Sequence, residues 1–161
     1  MSGIITIQGF GGNKSGIIGN LPSFSARTSS GQAGGNWSGS SNHGPIEFQT
    51  VEWDTHGYYS DSTWRFTPAI VGYYFITAVV YVDQAWDTVR PHIYKNGSSL
   101  IRGSTNSDTH LQESVSAYTD ANGTDYFTVM VYTEQDNNQG HGADGANCRF
   151  GAHFVGPRIH A

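Results

Sequence analysis

Histidines and carboxylates are the side chains of this chain that offer acid–base or metal chemistry, and the sequence contains 7 His and 13 Asp or Glu. Asp54 and His56 lie two residues apart, which suits a turn as well as a site. His110 and Glu113 are three residues apart in a region predicted as strand and loop, whereas a helix is needed to bring that spacing onto one face. No pair repeats a zinc-binding or catalytic spacing. We therefore predict no catalytic residue, no metal site and no cofactor.

Tryptophans in polar loops suggest a different chemistry, the binding of sugars. Trp86 lies between Asp83 and Asp87 after the longest predicted strand, and Trp37 lies in a loop rich in Gly, Asn and Ser. An exposed indole offers an apolar face to a sugar ring, and a carboxylate accepts hydrogen bonds from hydroxyls. These four residues are the candidate glycan contacts. Two alternatives remain open: the tryptophans pack onto their own domain or a neighbouring subunit, and the two aspartates bind calcium.

The elements that carry these loops are predicted to be short β-strands. Charged residues make up only 13% of the chain, aromatic residues make up 13%, and there are 21 Gly, a composition that favours strands and tight turns. Asn96-Gly97 predicts a tight hairpin, and segment 29–44 predicts a long loop. Trp53, Trp64 and Cys148 are predicted core residues. Apolar runs between turn signals predict strands over residues 24–27, 46–53, 63–67, 73–82, 90–95, 99–103, 111–118, 126–133 and 147–155.

Two of these strands, 73–82 and 126–133, have no charged side chain on either face. A strand of a monomeric sandwich normally has one polar face. With no helix to form a third layer, we expect other copies of the chain to cover the second face. The predicted subunit interface consists of Tyr73, Phe75, Tyr81, Tyr126, Met130 and Tyr132.

The first 22 residues differ in composition from the rest. They are rich in Gly and Asn and contain short apolar pairs, but no periodic run long enough to build a core. We predict an extended N-terminal arm over residues 1–22 that becomes ordered against another protein, and a globular head over residues 23–161. The predicted anchoring residues of the arm are Ile4, Ile5, Ile7, Phe10, Ile17 and Ile18.

Several stretches of the head, in order and at suitable spacing, resemble the complement globular-head (C-one-q) and tumour-necrosis-factor superfamily. The resembling stretches are Phe24–Arg27, Trp64–Pro68, Gly72–Phe75, His92–Gly97, Asn122–Tyr126 and Phe150–Phe154. The sequence departs from the family pattern in two places: Thr124 splits the Gly-Asp pair, and Gly156-Pro157-Arg158 replaces an apolar ending. The resemblance implies an all-β, two-sheet, ten-stranded jelly-roll sandwich that forms a threefold homotrimer.

The resemblance also bears on function, since members of this superfamily include virion proteins of bacteriophages. A Gly-rich arm on a head without a collagen repeat is most similar to that type. We therefore expect a structural protein on the exterior of a phage virion, a capsid-decoration protein or short tail fibre, assembled in the host cytoplasm. Its expected partners are further copies of itself, other virion proteins through the arm, and host-surface carbohydrate in host attachment. The alternative is a soluble bacterial lectin-like recognition module outside any virion.

Two classes of partner are unexpected from the composition. The formal net charge is −5, and only 8 Lys or Arg are spread along the chain, so a basic face for nucleic acid is not predicted. No apolar run approaches the roughly 20 residues that span a bilayer, so membrane insertion is not predicted.

Overall fold

The computed structural model of the chain describes residues 21–29, 32–33, 40–82, 88–105, 111–134, 143–144 and 147–158. Within these ranges there is no α-helix, and the predicted all-β class is confirmed. In chain order the strands are β1 (Ser23–Arg27), β2 (Gln32–Ala33), β3 (Ser41–His43), β4 (Thr50–Asp54), β5 (Tyr59–Ser60), β6 (Arg65–Phe66), β7 (Gly72–Val82), β8 (Thr88–Lys95), β9 (Ser98–Arg102), β10 (Leu111–Ala121), β11 (Phe127–Glu134), β12 (Ala143–Asp144) and β13 (Arg149–Pro157).

Two antiparallel sheets form the sandwich. Sheet I has the strand order β10-β7-β13-β1-β4. Sheet II has the order β5-β6-β11-β8-β9, and β3 also pairs with β11. The non-sequential order, with the last long strand between β7 and β1, is that of a jelly roll. The described part of the chain also contains a two-stranded ribbon of β12 and β2. Its strands number thirteen in all, several of them short, whereas the resemblance implies ten.

Alternation along the central strands builds the core between the two sheets. Successive side chains of a strand point to opposite faces, so every second residue of β7 and β11 enters the core. The aromatic centre of the core is a cluster around Phe24, whose ring stacks on Phe66 at 4.4 Å and meets Phe150 edge-on at 4.9 Å. The buried residues of β7 and β11 that share this core are Tyr74, Ile76, Ala78, Val80, Phe127, Val129 and Val131.

One tight turn and one ion-paired group position the ends of the strands. Asn96 and Gly97 have φ angles of 52° and 79°, which confirms the predicted hairpin between β8 and β9. At the same end, Lys95 Nζ of sheet II lies 3.0 Å from Asp120 Oδ1 and 3.0 Å from Asp125 Oδ2. Because Asp120 belongs to β10, this contact joins the two sheets.

Four predictions about local structure are wrong. Trp64 is half-buried in a turn, with a φ angle of 58°, instead of a core residue of a strand. Residues 46–49 are not a strand, although Ile46 and Phe48 are fully buried. The alternation reflects their burial, but Ile46 N–H donates to the Val129 carbonyl outside any strand ladder. The predicted loop 29–44 contains β2 and β3, whose polar residues give no apolar pattern. Trp53 is 52% exposed instead of core, because it pairs with Ser25 on the outer side of β4. Cys148 is buried as predicted.

Candidate interaction surface

An aromatic row crosses the outer face of sheet I. The register places Tyr118 of β10 beside Phe75 of β7, and Phe75 beside His153 of β13. The Phe75 ring centroid lies 4.9 Å from that of Tyr118 and 5.3 Å from that of His153. Tyr118 is 73% exposed, although the row has the close ring packing of a core.

Further apolar side chains extend this row toward the end of the sheet. Tyr73 follows in the next row of β7 and is 45% exposed. Val155, in the bulge where β13 pairs with β7, is 50% exposed. We call the surface formed by Tyr73, Phe75, Tyr118, His153 and Val155 the sheet I face. Contiguous apolar exposure of this kind is typical of an interaction surface, whereas single exposed apolar residues are ordinary.

Ion-paired groups flank the sheet I face on both sides. On one side Glu52 accepts hydrogen bonds from Arg149 and from the Ser25 hydroxyl, and its Oε1 lies 3.8 Å from Arg27. The hydrogen bonds from Arg149 and Ser25 lower the pKa of the Glu52 carboxyl. On the other side Asp120 is paired with Lys95 and lies 3.3 Å from Arg158. The charges near this surface are therefore ion-paired within the chain, which leaves the aromatic row as its distinctive feature.

The structure does not bring the six predicted interface residues together. Tyr73, Phe75 and Tyr81 belong to the outer side of β7 in sheet I, with Tyr81 half-buried. Tyr126, Met130 and Tyr132 lie on the outer side of sheet II, because their neighbours Phe127, Val129 and Val131 occupy the core. The two sets are on opposite sides of the sandwich. Alternation shows which residues of a strand share a face, but it does not show which sheet the strand joins.

The three sheet II residues have partners within the chain. The guanidinium carbon of Arg65 lies 4.1 Å from the ring centroid of Tyr126, and that of Arg90 lies 5.7 Å from the ring centroid of Tyr132. Met130 lies beside Gly44, where an added Cβ would come within 3.1 Å of its sulfur. These contacts distinguish them from Tyr118 and Tyr73, which remain exposed.

The other predicted site residues fall outside the described residues. This holds for the candidate glycan contacts Trp37, Asp83, Trp86 and Asp87, and for the anchoring residues Ile4, Ile5, Ile7, Phe10, Ile17 and Ile18. Their roles stay predictions.

Sequence reasoning missed Tyr118, His153 and Val155. The outward positions of β10 before Tyr118 are Gln112, Ser114 and Ser116, so the strand reads as an ordinary sheet edge with a polar side. Tyr118 is the single aromatic residue at the end of this polar series. It indicates an interaction surface only once the strand register places it beside Phe75.

Among the described residues, no group of three His, Cys, Asp or Glu side chains is placed to hold a metal ion. The same residues include no helix with the length and apolarity needed to cross a membrane.

Comparison with known proteins identifies the fold. No protein-family model matches the sequence, and no curated protein matches it either. Among solved structures, the globular domain of zebrafish complement 1qA protein is 14% identical, with a TM-score of 0.63, covering 86% of this chain and 99% of that one. Eiger TNF from S. frugiperda is 11% identical, with a TM-score of 0.64, covering 88% and 96%. Murine APRIL is 11% identical, with a TM-score of 0.63, covering 83% and 98%.

This likeness extends over nearly the full length of each solved domain, and at such low identity it is a likeness of fold. The chain has the jelly-roll fold of complement globular heads and tumour-necrosis-factor proteins. The predicted two-sheet jelly-roll fold is confirmed.

Proposed function

We propose that this chain is a non-enzymatic structural and binding protein that works as a homotrimer on the exterior of a bacteriophage virion. In this role it is a capsid-decoration protein or a short fibre, with the arm of residues 1–22 attached to the particle and the head facing outward. The observation that carries the trimer is the exposed aromatic row of Tyr118, Phe75 and His153 on the sheet I face.

Burial of exposed apolar side chains favours self-association. Complete burial of a large apolar side chain contributes about 1.5–3 kcal/mol, and Tyr118, Tyr73 and Val155 obtain little of this within one chain. Because the neighbouring charges are already paired, a second copy can approach this surface without desolvating an unpaired ion. Around a threefold axis, each copy would use this surface to cover its neighbour's.

Sedimentation of the full chain tests the trimer. We expect a folded species at three times the chain mass of 17.5 kDa at micromolar concentration. Tyr118→Glu places a charge in the aromatic row and should raise the concentration for half-dissociation by about tenfold or more. The matched control is Leu100→Glu on β9, since Leu100 is also a partly exposed apolar residue, at 38%, but belongs to sheet II. A folded wild-type monomer, or equal dissociation by the control, would contradict the proposal.

The virion role is tested separately through the arm. Leu21 and Pro22 already contact the head, because their carbonyls accept hydrogen bonds from Thr55 and from the Phe154 amide. A deletion of residues 1–20 therefore removes the arm and leaves these contacts intact. The full chain should co-sediment with phage particles, and the truncated chain should stay trimeric in the supernatant. If the full chain also stays in the supernatant, the soluble lectin-like module is the better description.

A further inference from the structure

The basic side chains of the head fall into two groups. Of the 8 Lys and Arg in the sequence, Lys14 lies outside the described residues. Four of the others, Arg27, Lys95, Arg149 and Arg158, are in ion pairs. The remaining three form no ion pair with the described residues, and all of them lie on the outer side of sheet II: Arg65, Arg90 and Arg102.

Strand pairing explains why the three arginines share a side. Phe66 of β6 enters the core, so Arg65 before it points outward. Arg90 lies opposite Tyr132, whose neighbour Val131 is in the core. Arg102 lies opposite His92, which in turn lies opposite Met130. We call this surface, defined by Arg65, Arg90, Arg102, Tyr126 and Tyr132, the sheet II face.

The spacing of the arginines follows from sheet geometry. Strands lie about 4.8 Å apart and rise about 3.4 Å per residue, so the α-carbons of Arg90 and Arg102 are about 8 Å apart. Arg65 is about 16 Å from both by the same geometry. Such separations suit a chain molecule with anionic groups at intervals, since a single small anion cannot reach all three guanidinium groups.

Aromatic rings hold two of the guanidinium groups in place. Arg65 lies over Tyr126, and Arg90 lies over Tyr132 with its Nε donating to Thr105 at 2.7 Å. A guanidinium held against a ring keeps N–H groups free at its edge, where a carboxylate accepts two parallel hydrogen bonds. Little side-chain entropy is then lost when an anion binds.

A buried histidine lies beside two of the arginines. His92 is 2% exposed, and neither ring nitrogen has a hydrogen-bond partner. Its ring stacks on that of Tyr94, with the centroids 6.1 Å apart. Burial, followed by the charges of Arg102 and Arg90, lowers the pKa of His92 to about 4. Both arginine charges therefore act on His92, and the carboxylate of Glu134, which accepts a hydrogen bond from Tyr132, balances part of the Arg90 charge.

We propose that the sheet II face binds an acidic polysaccharide, whose carboxylate groups pair with Arg65, Arg90 and Arg102. This goes beyond the proposed function and places the expected contact with carbohydrate on a surface other than the predicted tryptophan loops. Binding at this surface requires neither the trimer nor the arm. The trimer and virion proposals can therefore be wrong while this one is right, and the reverse.

Calorimetric titration of the full chain with polygalacturonate, at low and high salt, tests the site. We expect binding that weakens with salt, and a loss of affinity of about tenfold or more in the double variant Arg90→Gln/Arg102→Gln. The control is Arg149→Gln/Arg158→Gln, which removes the same charge from ion-paired positions and should change affinity less than about twofold. Neutral dextran should not bind.

Proton NMR gives a second readout that overall charge cannot mimic. Bound polygalacturonate places carboxylates beside Arg90 and Arg102, so it should raise the apparent pKa of His92 and leave the His153 resonances unchanged. The proposal is overturned if neither polygalacturonate nor dextran sulfate binds, or if the control double variant loses affinity equally. Equal binding of polyglutamate through the same arginines would also overturn it, in favour of an acidic protein partner.

Discussion

Acid sensitivity of the fold should depend on His92. The pKa of this histidine is lowered from 6.5 to about 4 in the folded chain. In the unfolded chain it binds a proton near its ordinary pKa, so between these two values the unfolded state holds more protons than the folded state. The contribution of His92 to the free energy of unfolding is therefore fully present above about pH 6.5. It decreases as the pH falls and is fully lost below about pH 4.

The size of the effect follows from the shift. One pKa unit corresponds to about 1.4 kcal/mol, so the full loss of unfolding free energy is roughly 3 kcal/mol, of which about 2 kcal/mol is lost by about pH 5. Carboxylates with a lowered pKa, such as Glu52 and Asp120, lose their stabilising effect in a different window. Their loss begins only near their unfolded pKa, at about pH 4.5 and below.

The assay is urea denaturation at a fixed protein concentration and at several pH values between about 7 and 5, for the wild type and for His92→Leu. Fixed concentration matters because subunit association contributes to apparent stability. The leucine variant cannot titrate at this position, so the wild type should lose about 2 kcal/mol more than the variant over this range. Absolute stability is not the readout, since removing two unpaired nitrogens changes it at every pH. Parallel loss in both proteins would refute the reasoning.

Two further predictions concern the ion pairs of Lys95 and the close packing at Gly72. Lys95→Met leaves the buried Asp125 carboxylate without its cation and should lower the free energy of unfolding, measured by chemical denaturation, by about 2–4 kcal/mol. Arg158→Met, which removes an exposed ion pair, should lower it by less than about 1 kcal/mol. Gly72→Ala should also cost several kcal/mol in thermal or urea unfolding, because its Cβ would lie 2.3 Å from the Phe154 ring. Gly156→Ala, with nothing within 4 Å, is its control; equal losses within either pair would contradict these assignments.

Much of the fold follows from local pattern. The prediction of a strand over residues 73–82 agrees with β7, because this run consists mainly of β-branched and aromatic residues, which favour strands. The hairpin at Asn96-Gly97 was equally accessible, since only residues that tolerate positive φ suit that turn. Residues 46–49 failed because alternating burial does not require a hydrogen-bonded ladder, and β3 failed because its edge pairing needs no apolar residues.

The candidate surfaces were less accessible from the sequence. The strands without charge, β7 and β11, are inner strands of their sheets. The six residues predicted from them to form one interface lie on the two opposite outer sides of the sandwich. Arg65 and Arg90 each read as an isolated charge between apolar residues. Strand pairing places both of them on the outer side of sheet II together with Arg102. Arg90 and Arg102 lie beside the buried ring of His92.

Composition, apolar runs and turn residues therefore specify most of the longer strands and the class of fold, because these depend on neighbours in the chain. The assignment of strands to sheets and the register across them came from folding, because they depend on partners distant in the sequence. The aromatic row of Tyr118, Phe75 and His153 and the three arginines of the sheet II face exist only through that register.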